Sequence, residues 1–182
     1  PRAAGMLLWA LVAGIIAGLA GLAVVVPPLG EDGWAFPLYS SIVMTWAASG
    51  AFLATRRPDN RVGWILLAAG LGMGLSLLGQ LRAFLSVTAW TGALPLTVPA
   101  GVLGVLFNPA LYLVMLVPVV FPDGRLMSRR WAVVAAALLV SAAATLVGSV
   151  LRPGPLEGMK LLDNPLGVPD LAGLSQVLVD LG

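Results

Sequence analysis

Apolar stretches of about bilayer length fill this chain, and the turns between them carry its arginines. Residues 3–26, 37–54, 62–81, 96–121 and 131–150 each hold a long apolar run. About 20 helical residues cross the roughly 30 Å of hydrocarbon in a membrane. A single segment in lipid satisfies its backbone hydrogen bonds only as a helix. The expected fold is therefore all-α: a polytopic transmembrane bundle of five full spans. Residues 151–170 carry Pro153, Pro155, Pro165 and Pro169 and read as an irregular outer loop. Residues 171–182 turn apolar again and read as the start of a sixth span. Pro27 and Pro28 stop the first span.

Composition supports a lipid-facing chain. Mean hydropathy is +0.99, and only 10 % of the residues are charged. So few charges cannot cover a soluble domain of this size. The 182 residues include no cysteine and no histidine, which removes disulfides, thiolate metal sites and the commonest general base. The chain starts at Pro1 and stops inside an apolar stretch, so it is read as part of a longer protein.

Orientation follows from the basic residues. Arg2, Arg56, Arg57, Arg61, Arg125, Arg129 and Arg130 fall on one side; Arg82, Arg152 and Lys160 fall on the other. The positive-inside rule puts the first group, and with it the amino terminus, in the cytoplasm. Glu31, Asp32, Glu157, Asp163, Asp170 and Asp180 lie outside, with Asp59 and Asp123 inside. Trp9, Trp64 and Trp131 sit at inner span ends, Trp34 and Trp90 at outer ones, and Trp46 is the exception. Arg56, Arg57, Arg61, Arg125, Arg129 and Arg130 are read as topology signals and as contacts to anionic headgroups, not to nucleic acid.

The two inner turns are alike. Pro58-Asp59-Asn60-Arg61 and Pro122-Asp123-Gly124-Arg125 each place proline, aspartate, a residue tolerant of positive φ, and arginine. A duplicated helical hairpin and independent turn chemistry both account for this. Gly14-x-x-x-Gly18, Gly70-x-x-x-Gly74 and the small residues Ala137, Ser141, Thr145 and Ser149 let helices approach closely, within the bundle or across a dimer; packing within the bundle is favoured. Asn108 and Pro109 interrupt the fourth span, as a static kink or as a hinge beside a polar pocket. Gln80 and Arg82 lie near the outer end of the third span, where Arg82 either snorkels or faces inward. No catalytic constellation, metal set or cofactor loop is legible, so no enzymatic activity is expected of this chain itself. The five spans contain no carboxylate, which argues against an ion-coupled transporter.

Four strings in order resemble one family. Residues 55–65 (TRRPDNRVGWI), 121–131 (FPDGRLMSRRW), 153–155 and 164–168 are similar to the amino-terminal membrane module of bacterial, especially actinobacterial, sensor histidine kinases. Where the family more often has proline, this chain has Met127. The resemblance implies the sensing and anchoring part of a two-component receptor. The histidine kinase part, through which the receptor forms a homodimer, is absent from these residues. Ligand residues cannot be carried over, and the stimulus stays open. The competing expectation is an accessory or structural membrane subunit of a larger complex.

Overall fold

The computed structural model describes residues 2–25, 35–88, 95–156 and 159–182. Helices α1 (Arg2–Val25), α2 (Ala35–Arg56), α3 (Arg61–Thr88), α4 (Thr97–Phe107), α5 (Leu111–Val120), α6 (Arg129–Leu151) and α7 (Ala172–Leu181) dominate it. A small antiparallel hairpin, β1 (Pro155–Leu156) and β2 (Met159–Asp163), follows α6. The Pro27–Pro28 stop, Glu31, Asp32, Trp34, Trp90 and Glu157 lie outside the described residues.

Among the described residues, four helical stretches are long and apolar enough to cross a membrane: Leu38–Arg56, Arg61–Ser86, Thr97–Val120 and Arg129–Leu151. This is the make-up of a multi-pass helical membrane protein. Helix α1, Arg2–Val25, is 24 residues long. The third helix runs on to Thr88, past the expected end at residue 81. No proline or glycine lies between residue 81 and Thr88 to end it sooner. The fourth stretch is broken where proline predicts. Pro109 brings no N–H, and Asn108–Ala110 form one 3-10 turn between α4 and α5.

Residues 151–170 are more ordered than an irregular loop. The hairpin forms because Leu156, 3 % exposed, packs with Ala83 and Val105, and Leu162 covers that cluster. An apolar side chain between prolines and glycines thus finds a core even though the composition reads as loop.

Close contacts divide the chain into two units, Pro1–Gly74 with Ala110–Ala136, and Leu75–Pro109 with Ala137–Gly182. In the first, α2 and α3 meet backbone to backbone. A Cβ on Gly50 would lie 2.5 Å from the Leu67 amide nitrogen, and one on Gly63 would lie 2.7 Å from that of Ala54. Only glycine permits so close an approach, the standard route to helix association in lipid. Ala51, Ala54 and Leu67 are buried there beneath Trp64. Gly70 packs on Ala47, and Gly74 lies near Ile15 and Val43, so this pair serves packing inside the chain. Gly14 and Gly18 meet nothing within 4 Å.

In the second unit, α3 and α4 meet at Gly79 and Gly104; a Cβ on Gly79 would lie 2.7 Å from the Gly104 amide nitrogen. The small face of α6 receives α7: Gly182 contacts Thr145, and Gly148 abuts Ser175 and Val179. Asn164 fastens the segment after α6. Its Nδ2 donates to the Val150 and Arg152 carbonyls at 2.9 and 2.8 Å, and its Oδ1 accepts from the Leu166 N–H at 3.0 Å.

Candidate functional site

The two arginine turns of the first unit are docked on each other. Asn60 precedes α3, and its Oδ1 accepts the Val62 N–H at 2.9 Å. That satisfies one of the four N–H groups a helix start leaves unpaired. The other end of the same amide reaches across to the second turn, where Nδ2 donates to the Pro122 carbonyl at 2.8 Å. Gly124 faces this junction with φ +71°, a conformation that costs a side-chain-bearing residue. A Cβ there would also stand 2.6 Å from the Arg61 amide nitrogen and 3.1 Å from Asn60 Oδ1. The Trp64 indole N–H closes the first turn from below by donating to the Pro58 carbonyl at 3.0 Å.

Beside the junction lies an open cleft of about 500 Å³, lined by Arg56, Arg57, Pro58, Asp59, Asn60, Asp123 and Arg125. The Arg56 guanidinium also stands over the Phe52 ring, 5.3 Å from its centroid, in cation–π range. Arginine forks suit phosphate and carboxylate oxygens, so the cleft is chemically a place for an anion. Of the six arginines read as cytoplasmic contacts, Arg56, Arg57 and Arg125 share this cleft. Arg61 contributes its backbone to the junction, while exposed Arg129 and Arg130 begin α6 and do not line it.

The second unit holds the other candidates. Ser76 is fully buried and donates to the Gly104 carbonyl at 2.7 Å, and Gln80 Nε2 donates to Ser76 Oγ at 2.9 Å. Gln80 thus belongs to a polar strap between α3 and α4. Asn108 lies one helical turn beyond Gly104, where its N–H donates to the Val105 carbonyl. Arg82, half-buried, donates to the Pro95 carbonyl just before α4. The structure therefore brings Gln80 to α4 one turn before Asn108 and Pro109, and ties Arg82 to Pro95 near the opposite end of α4. Sequence reasoning passed over Ser76, read Trp64 as part of an aromatic belt, and met Asn164 only as part of a resembling string. A lone serine in an apolar run was the available signal for the first.

No family model, no curated protein and no solved structure matches this chain.

Proposed function

We propose that this chain is the membrane-embedded sensing and anchoring module of a two-component sensor histidine kinase. In this reading five helices span a bacterial inner membrane with the amino terminus and both arginine turns in the cytoplasm. The residues from 171 on begin a sixth span leading to a kinase part, through which the receptor dimerises. The observation that carries the reading is the ordered set of strings at 55–65, 121–131, 153–155 and 164–168. The docked turns add a physical reason for two of them: Asn60, Trp64, Pro122 and Gly124 each hold a place in one junction. A shift between two packings of the bundle would reach the kinase through the inner helix ends.

The test is a fusion of the chain to a cytoplasmic histidine kinase core, assayed for autophosphorylation in membranes. Substitutions across residues 151–170 and at Asn108 and Pro109 are expected to change the rate. Output indifferent to all of them contradicts the proposal.

One observation favours an accessory membrane subunit instead. Only 6 % of the Arg129–Leu151 stretch is buried, and Val133, Leu139, Val140 and Val147 stand exposed on it. A partner helix would cover such a face as readily as lipid does. Co-purification of a second membrane protein at fixed stoichiometry, lost on placing a bulky polar residue at Val140, would support that reading.

A further inference from the structure

The arginine cleft has an apolar neighbour on α2. On the preceding turns of α2, an open apolar groove of about 290 Å³ is lined by Met6 and Trp9 of α1 and by Ala48, Ala51, Phe52 and Thr55 of α2. Thr55, which lines the groove, is followed directly by Arg56 and Arg57, which line the cleft. Phe52 is shared in another sense: it lines the groove, and its face carries the Arg56 guanidinium. An apolar slot therefore adjoins a cationic, hydrogen-bonding recess. The last turn of α2 serves both.

We propose that these two adjoining surfaces together bind one anionic glycerophospholipid, with an acyl chain along α1 and α2 and the phosphodiester among Arg56, Arg57 and Arg125. Charge and shape both select this occupant. Three arginines against two aspartates leave the cleft one positive charge, which one phosphodiester neutralises. The Asp59 and Asp123 carboxylates are acceptors for hydroxyls on the same headgroup. Guanidinium forks hold phosphate oxygens in pairs. A free anion would leave the groove empty, and an uncharged lipid would leave the arginines unmatched. The site also lies on the docked turns, so an occupant touching both Arg57 and Arg125 bridges the same two strands of chain that Asn60 joins. The proposal shares the membrane placement of the proposed function but needs neither kinase output nor a particular side of the membrane.

Native mass spectrometry of the detergent-purified chain, after exchange into phosphatidylglycerol or phosphatidylcholine micelles, reads the site. One phosphatidylglycerol is expected to be retained in preference to phosphatidylcholine. Retention should fall about fivefold for each arginine removed in R57Q and R125Q. A48W, which fills the groove from an exposed position, should release the lipid, whereas R129Q/R130Q should leave retention unchanged. Inorganic phosphate should not displace the lipid. Equal retention of both lipids by the unmodified chain overturns the proposal. So does equal loss in R129Q/R130Q, which would mean diffuse surface charge, or stripping by phosphate, which would mean a free-anion cleft. Orientation across a bilayer has no bearing in detergent, so failure here and failure of the receptor reading are separate results.

Discussion

Two turns of nearly identical composition do opposite jobs in this molecule. In Pro58-Asp59-Asn60-Arg61 the third residue makes bonds: Asn60 caps α3 with one end of its amide and grips the Pro122 carbonyl with the other. In Pro122-Asp123-Gly124-Arg125 the third residue makes room: Gly124 lets the backbone of Arg61 come to where a Cβ would collide. The one position where the strings differ in character lies at their junction. Each turn is shaped to receive the other, and neither residue would serve in the other's place.

Substitutions can break that complementarity in order of severity. Gly124→Val should cost roughly 2–3 kcal/mol, since a β-branched residue at positive φ adds its strain to the clash with Arg61. It is expected to give the largest drop in unfolding temperature, followed by circular dichroism in detergent. Asn60→Ala removes both bonds and should cost about 1–2 kcal/mol. Asn60→Asp separates them. It keeps the acceptor for Val62 but sets a carboxylate against the Pro122 carbonyl, so a loss of about 1 kcal/mol would measure the bond between the turns. A loss equal to that of Asn60→Ala would assign the whole effect to the turn-to-turn bond. Trp64→Phe, which deletes the bond to Pro58 and keeps the ring, should cost about 0.5–1 kcal/mol. Asp59→Ala should change stability by less than about 0.5 kcal/mol, because the exposed aspartate the turns share is not what joins them.

Much of the fold was legible because lipid imposes it. The helix that satisfies its own backbone must be as long as the bilayer is thick, and the observed bounds of α6 lie within two residues of the apolar run that predicted it. What lipid does not impose was hidden. The Arg61–Ser86 and Arg129–Leu151 stretches have similar hydropathy, 1.8 and 2.2, yet 50 % of the first is buried and 6 % of the second. In a membrane both the packed and the lipid-facing surfaces are apolar, so hydropathy cannot tell them apart. Small residues are the better signal: Gly50, Gly63 and Gly70 mark where α2 and α3 close on each other.

The site was half visible. The arginines stood out as a topology signal, and the likeness of the two turns was plain. Their contact was not, because Asn60 and Pro122 are 62 residues apart and nothing in either string names the other. Ser76 was overlooked for a related reason. One hydroxyl in an apolar helix carries no weight until Gly104 shows an open carbonyl opposite it. Leu156 was lost among prolines and glycines, which set the composition of its segment but not its packing.

The proposed placement of both turns in the cytoplasm can be tested at positions that the junction does not use. The chain has no cysteine, so Asp59→Cys, Met127→Cys and Asp170→Cys each introduce a unique thiol at an exposed site. With a membrane-impermeant maleimide on intact cells, the account predicts labelling at position 170 alone, and labelling at 59 and 127 only after permeabilisation. Ready labelling at 59 and 127 from outside intact cells would contradict it.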